Sequence, residues 1–425
     1  MDWEIRHILF FSFGIWDFVA IFATNKIKKM AEKNSLTMKS QNRIASIDVM
    51  RALTMLLMLF VNDIPGLDGV PHWMFHAAYD EDMLGFSDVI FPAFLFCVGM
   101  SIPLAVNHRL QRGDTQFQLL GHILRRTFAL LVMGLFTLNS ERGAGGIPYE
   151  WFSLLMIAGF FLVWMDYPKQ WTHWLKRVLQ TAGTVLLAGL IVYSDIHGPA
   201  FRFGWWGILG LIGWTYLVCT VAYLLGNRSL RGVLVVWGIG IVLCVLSNSS
   251  LIPHEWFSRI ILLPFVPGGW TGHMLGLSGM AATMLMTSGT TSCKKICGMF
   301  LLTGLLMLLA GILSHHYWII SKIQATPTWA FFCLAIFFPL TALLHWLVDV
   351  QGRASWFWLI APAGTATLTC YLLPYVWYPC RSMLGFHFPW SWYHGIVGLL
   401  LSLGFSLLVV QVARLIVRRH IKVKI

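Results

Sequence analysis

Few residues of this chain carry a charge. Asp, Glu, Lys and Arg together make up 11% of its 425 residues, whereas hydrophobic residues make up 57% and the mean hydropathy is +0.71. So few charges cannot cover a core with a water-soluble surface. Apolar runs close to the roughly 20 residues that a helix needs to cross a bilayer recur along the chain. The composition therefore predicts an all-α, polytopic transmembrane helical bundle.

Several common binding and catalytic motifs are lacking. The sequence contains no P-loop, no glycine-rich dinucleotide fingerprint and no His-Glu-x-x-His helix, which excludes the sites that these motifs build. Its eight cysteines form no recognisable disulfide framework. Cys293 and Cys297 have no second pair of metal ligands nearby, so we expect no metal.

The apolar runs predict about twelve core spans and one weaker N-terminal helix. The core runs are 50–64, 86–107, 122–139, 149–166, 178–194, 205–225, 231–247, 271–288, 296–314, 329–348, 356–379 and 393–415. The weaker run, 8–24, contains Asp17 and precedes a basic cluster. We interpret 1–37 as an N-terminal extension and 38–425 as a single transmembrane domain. Two interpretations of the extension stay open: an extra helix with its N-terminus outside, or a dispensable segment before a natural start at Met38.

The positive charge of the chain is distributed unevenly between its loops. Lys and Arg number 30 against 18 Asp and Glu, a formal net charge of +12. If Arg43 and Arg51 are cytoplasmic, loops rich and poor in Lys and Arg alternate, and the basic C-terminal tail is cytoplasmic. Lys322 is then among the few cations on the opposite, outer side. The charge is therefore a topology signal, and we expect no nucleic-acid partner.

Polar residues concentrate around the first predicted core connection. Asn62 lies near the outer end of one span, Asp88 near the outer start of the next, and His76 between them. An imidazole can act as nucleophile or general base, an amide can donate to an oxyanion, and a carboxylate can orient the imidazole. Simpler interpretations stay open, because Asp88 can merely cap its helix, Asn62 can terminate one, and His76 can be solvated.

A resemblance extends this interpretation. The chain resembles the heparan-α-glucosaminide N-acetyltransferase family, and within it a bacterial branch of membrane proteins. The first cluster of matching residues is Arg43–Leu53, Val61-Asn62, His76–Tyr79 and Ser87–Ile102, and later matches are Thr326–Trp329, Trp346–Val350 and Gly364–Tyr371. The chain departs from the family pattern at 50–52, which reads Met-Arg-Ala, and at 364–366, which reads Gly-Thr-Ala. The resemblance implies that 38–425 is a transmembrane acyltransferase domain. Such an enzyme moves acetyl from cytosolic acetyl-CoA to a terminal glucosamine, of a glycan such as heparan sulfate, on the far side of the membrane.

Site residues follow from the resemblance position by position. It implies that His76 is the active-site histidine, with Asn62 and Asp88 as its catalytic partners. Acetyl-CoA is the implied cosubstrate, and four cytoplasmic-side cations are candidates for its phosphates: Arg109, Arg112, Arg125 and Arg126. The positive-inside rule explains the same four without a ligand.

The resemblance also implies which partners the protein has and where it is located. We expect a sugar or glycan acceptor and membrane lipids as partners; a homodimer stays open. A bacterial inner membrane would place the acceptor site in the periplasm. N- and O-acetylation are not distinguished by the sequence.

A multispan transporter or flippase of a sugar-related substrate is the alternative function. Twelve-odd spans with interruptions such as Pro264, Pro267 and Gly268-Gly269 fit that class. Charged residues in the middle of the spans are nearly absent, whereas coupled transporters commonly hold them there. This difference favours the enzyme.

Overall fold

The chain folds as a bundle of α-helices. The computed structural model describes residues 44–142, 146–197, 201–202, 207–249, 270–288, 292–419 and 421–425. The longer helices are α1 Ala45–Asp63, α2 Phe86–Gln111, α3 Gln116–Arg142, α4 Tyr149–Trp164, α5 His173–His197, α6 Ile208–Leu225, α7 Leu230–Asn248, α8 Thr271–Met286, α9 Cys293–Ser314 and α10 Pro327–Leu344. Short helices α11 Ala361–Thr365, α12 Thr367–Leu372 and α13 Pro374–Met383 follow, and α14 Gly395–Arg418 ends the bundle.

The predicted membrane class is confirmed, and the predicted span count is confirmed in part. Within the described ranges, nine helical stretches are long and apolar enough to cross a bilayer, which indicates an integral membrane protein. The predicted spans at 149–166 and 271–288 are shorter helices, α4 and α8, of 16 residues each. The described residues form isolated β-bridges and no sheet, as an all-α fold requires.

The predicted span at 356–379 is wrong as a single helix. This stretch consists of a 3₁₀ turn, Ser355–Leu359, followed by the three short helices α11, α12 and α13. Pro362 and Pro374 each stand at the start of a new helix, where a missing N–H costs little. Ala366 leaves the helical region with φ −124° and ψ 36°. The run is apolar enough for a span, but its prolines interrupt the helical hydrogen bonding, so that several short helices form in place of one long helix.

Helices α1 and α2 form the centre of the bundle, and α5, α7 and α9 lie at its edge. Most of the apolar window of α1 and of α2 is buried, whereas most of the windows of α5, α7 and α9 are exposed. Exposed leucines and valines on the outer helices are what lipid contact requires. The two central helices carry Asn62 and Asp88, and the connection between them carries His76.

Glycines allow α2 and α8 to pack with their backbones in contact. A Cβ atom built on Gly99 would lie 1.8 Å from the carbonyl oxygen of Gly276, and one on Gly279 would lie 1.9 Å from that of Phe96. Only a residue without a side chain fits at either position. Small residues at helix crossings are the usual means of close packing between membrane helices.

Some predictions concern residues outside the described ranges. The extension at 1–37, its two interpretations and Arg43 all precede residue 44, where the description begins. The loop that contains Pro264 and Pro267 also lies outside, between 249 and 270.

Candidate active site

The connection between α1 and α2 folds back onto the start of α2. It contains two 3₁₀ turns, Ile64–Gly66 and His72–Met74, and ends at Gly85, the residue before α2. A Cβ atom on Gly85 would lie 2.2 Å from the carbonyl oxygen of Phe75, so glycine is required for this approach. The close contact brings the residue after Phe75 against the first turn of α2.

His76 and Asp88 form a hydrogen-bonded pair at this point. His76 Nδ1 lies 2.7 Å from Asp88 Oδ1, and the backbone N–H of Ala77 donates to Asp88 Oδ2 over 3.0 Å. The Asp88 side chain is 2% exposed and that of His76 is 41% exposed. A buried carboxylate therefore holds an imidazole that solvent and solutes can reach.

The carboxylate of Asp88 bonds outside its own helix. The residue at the N-cap of α2 is Gly85, with no side-chain hydrogen bond, and both Asp88 oxygens accept from the preceding connection. A carboxylate accepts a hydrogen bond from Nδ1–H, which leaves Nε2 of the neutral ring as an acceptor. In this tautomer Nε2 can take a proton or bond to an acyl carbon.

Lys322 adds a cation that the sequence-based site did not include. Its Nζ lies 3.2 Å from His76 Nδ1 and 3.8 Å from Asp88 Oδ1. It belongs to the connection 315–326 between α9 and α10. Burial lowers the pKa of Lys322, and the neighbouring Asp88 carboxylate opposes that shift. The signal in the sequence is that Lys322 is one of the few cations in the loops predicted to be outer.

Hydrogen bonds fix the 315–326 connection against the first connection. Asp82 accepts from the Ile320 N–H over 2.8 Å and lies 2.7 Å from His315 Nε2. The bond from Ile320 is the main reason that the pKa of Asp82 is lowered. Gln324 donates to the carbonyl oxygen of Tyr79 over 2.8 Å. Two loops distant in sequence are thus held together beside the His–Asp pair.

Asn62 does not touch this pair. It is exposed near the end of α1, and within the described residues no hydrogen bond joins it to His76 or Asp88. Its neighbour Asp63 accepts a 2.6 Å hydrogen bond from the Tyr378 hydroxyl of α13. The structure brings together two of the three predicted catalytic residues, and Asn62 remains free to meet a ligand.

The four predicted phosphate-binding arginines differ in their surroundings. Arg109 is bonded to Asp114 over 2.6 Å, Arg112 is exposed after α2, and Arg125 donates to its own helix. The Arg126 guanidinium lies over the ring of Tyr216, 4.7 Å from its centroid. Its Nε atom is buried without a partner among the described residues.

The N-terminal half of α1 holds a second cationic group with an unpaired nitrogen among the described residues. Arg51 donates to Asp48 and to the Gly364 carbonyl oxygen, and its buried Nε likewise has no partner in the described ranges. Arg51 and Arg126 therefore offer the buried donors that an anionic group would satisfy.

A second His–Asp pair lies at the opposite end of the bundle from His76. His345 Nδ1 is 2.8 Å from Asp349 Oδ2, and Ser46 at the start of α1 donates to the same carboxylate. The His345 ring is buried, so solutes do not reach it as they reach His76. Among the described residues, no group of three or more His, Cys, Asp or Glu side chains could hold a metal ion.

Comparisons with known proteins bear on this site. The family described as "Domain of unknown function (DUF5009)" matches residues 43–246, which include both connected helices and the His–Asp pair. Heparan-alpha-glucosaminide N-acetyltransferase of Homo sapiens is 37% identical over 110 residues, and that of Mus musculus is 36% identical over 113 residues. Each match covers 26% of this chain, and the chain spans only 15% of the human protein and 16% of the mouse protein. The chain is thus distantly and partially similar to a membrane N-acetyltransferase.

Proposed function

We propose that this chain is a membrane-bound acyltransferase that moves acetyl from cytosolic acetyl-CoA to an amino sugar or other glycan on the far side of the membrane. The observation that carries the proposal is the His76–Asp88 pair, with its 2.7 Å hydrogen bond and its exposed imidazole. The distant similarity to heparan-alpha-glucosaminide N-acetyltransferase supports the acetyl group as cargo.

The proposed reaction exchanges a thioester for an amide or ester. The acceptor nitrogen or oxygen bonds to the acetyl carbon, the carbon–sulfur bond breaks, and the acceptor's proton ends on the CoA sulfur. His76 Nε2 serves in one of two ways. In the first, Nε2 takes the acceptor's proton while the acceptor attacks the thioester directly. In the second, Nε2 bonds to the acetyl carbon and then passes the acetyl group to the acceptor. Asp88 stabilises either form by accepting from Nδ1–H.

The donor must reach His76 from the other end of α2. Asp88 and Arg109 are 21 positions apart on this helix, a rise of roughly 32 Å. Arg126 and Arg51 support a phosphate site at the inner end, because each has a buried Nε–H that no group of the described residues pairs with. Of the predicted arginines, Arg126 is therefore the one we assign first to CoA, since Arg109 is already paired with Asp114.

The proposal is tested with the purified full chain in detergent. We expect radiolabelled acetyl to pass from acetyl-CoA to members of a panel of hexosamines and other amino sugars. His76→Ala should lower turnover by at least about 10²- to 10⁴-fold, the usual contribution of general acid–base catalysis. His72→Ala is the matched control, because His72 lies in the same connection and its exposed side chain bonds to Glu81 and not to the pair.

Two outcomes would contradict the proposal. One is near-wild-type turnover in His76→Ala, which would remove the imidazole from the chemistry. The other is a purified protein that neither transfers acetyl nor binds acetyl-CoA. Either would favour a transporter, a class in which discontinuous helices such as α11, α12 and α13 are common. Uptake of labelled amino sugar into vesicles would then be the measurement.

A further inference from the structure

Lys322 reaches the His76–Asp88 pair from a distant part of the chain. The two nitrogens, Lys322 Nζ and His76 Nδ1, are 3.2 Å apart, although 246 positions separate the residues. We propose that Lys322 is a positioning residue that balances the charge of Asp88, so that His76 is oriented by the carboxylate without being held as an imidazolium. The effect of Lys322 on the protonation of His76 is argued from the geometry alone. Its effect on acetyl transfer rests on the proposed function.

The hydrogen-bond geometry favours an electrostatic role for Lys322. An ammonium group can only donate, and a neutral imidazole has one protonated nitrogen. The shorter contact, 2.7 Å, joins Nδ1 to the Asp88 carboxylate, so Nδ1 carries its proton and cannot also accept from Lys322. Lys322 therefore acts on the pair through its charge and not through a hydrogen bond to the ring. Its Nζ lies 3.8 Å from Asp88 Oδ1, the oxygen that also contacts His76.

Burial makes that charge necessary. Asp88 is 2% exposed, and a buried carboxylate is costly unless it is paired and hydrogen-bonded. A carboxylate beside an imidazole favours its protonation, which would occupy Nε2 and stop it from acting as base or nucleophile. Lys322, 24% exposed, opposes this effect from the same side of the ring. It is the one lysine or arginine within 4 Å of Asp88 among the described residues.

The position of Lys322 is fixed on both sides. Before it, the Ile320 N–H donates to Asp82 over 2.8 Å. After it, Thr326 caps the N-terminus of α10, and Trp329 in the first turn of α10 donates to the Asp88 carbonyl oxygen over 3.2 Å. The chain segment that carries the ammonium is thus attached to the connection and to the helix that carry the pair.

The other titratable groups around the pair are accounted for. Among the described residues, the connection before α2 contributes His72, Glu81 and Asp82, the 315–326 connection contributes His315, and α10 contributes Cys333. His72 and Glu81 bond to each other over 2.6 Å, and Glu81 also accepts from the Ala78 N–H. The Cys333 side chain is fully buried in α10. Removing the Lys322 ammonium therefore takes away the positive charge that lies beside His76 and Asp88.

The test measures how pH controls the reactivity of His76, independently of acetyl transfer. Diethyl pyrocarbonate reacts with unprotonated imidazole, and peptide mass spectrometry of the full chain in detergent gives the rate at His76. Two unit charges 3.2 Å apart in a water-like dielectric shift a protonation equilibrium by about one pH unit, a tenfold change. We call the pH at which His76 reacts at half its maximal rate the midpoint. It should rise by about one pH unit in Lys322→Met and stay near the wild-type value in Lys322→Arg. His316, exposed in the same connection, is the internal control.

The outcomes separate this inference from the proposed function. An unchanged midpoint in a folded Lys322→Met variant overturns the inference even if acetyl transfer is present. A raised midpoint without any acetyl transfer supports the inference and counts against the function. Lys322→Gln is the second variant if Lys322→Met does not fold, and its midpoint should also rise. In the active enzyme, the acidic limb of the pH–rate profile should move with the midpoint.

Discussion

Replacing Gly99 with alanine should separate the two helices that pack closest at the centre of the bundle. The added Cβ atom would lie 1.8 Å from the Gly276 carbonyl oxygen, where atoms cannot approach within 3.0 Å. The obstructing atom belongs to the backbone of α8 and cannot rotate away. The helices must therefore part locally by roughly 1 Å, since cores have no spare volume.

The expected loss of stability follows from this overlap. Overpacking of a closely packed interface costs about 1–3 kcal/mol. Gly238→Ala is the matched control, because Gly238 lies inside α7 and an added Cβ there meets no atom of the described residues within 4 Å. At an open helix position alanine is favoured over glycine by up to about 1 kcal/mol. Both glycines lie inside helices, so this gain applies to both variants, and Gly99→Ala should be less stable than Gly238→Ala by about 1–3 kcal/mol, the cost of overpacking.

Buried cysteines provide the assay. Cys97, Cys219 and Cys333 are free and buried, so a thiol-reactive dye labels them only when the bundle opens. The temperature of half-labelling in detergent should be lower for Gly99→Ala than for Gly238→Ala by roughly 2 °C or more. Equal temperatures for the two variants would refute the backbone contact between α2 and α8.

Four further predictions concern the site and the topology. Asn62→Ala should lower acetyl transfer by about 10²- to 10³-fold if the amide donates to an oxyanion, and unchanged turnover at matched folded protein would remove that role. Asp88→Asn should lower turnover less than loss of the histidine does, because an amide still accepts one of the two hydrogen bonds; a loss as deep as that of the histidine variant would contradict this. A reporter fused after Arg353 should be cytoplasmic and one within 251–270 external, as the loop charges predict; both on one side would contradict the span assignment. A chain that starts at Met38 should insert and retain turnover, since later loops set the orientation; failure to fold would make the extension part of the bundle.

The local half of the candidate site could be predicted from the sequence, and the distant half could not. His76 and Asp88 are 12 positions apart, and the end of one apolar run and the start of the next place them together. Lys322 lies 246 positions from His76, and nothing in its own neighbourhood indicates which of several outer loops its connection will meet. Sequence patterns report periodicity along the chain and not contacts between loops.

The fold shows a similar division. Runs such as 86–107 predict their helices well, because hydropathy identifies residues that lipid or a core can enclose. The run 356–379 is as apolar as a span, yet hydropathy does not register where the backbone lacks an N–H donor. Pro362 and Pro374 were visible in the sequence, and their positions mark the starts of α11 and α13.

The origin of Lys322 in a late part of the chain has a consequence for the order of assembly. Residues 76 and 88 leave the ribosome almost together, so their pair can form as soon as α1 and α2 are inserted. At typical synthesis rates of about 5–20 residues per second, Lys322 follows His76 by roughly 12–50 s. During that interval Asp88 has its histidine and lacks its cation, and the site becomes complete only after α9 has been inserted.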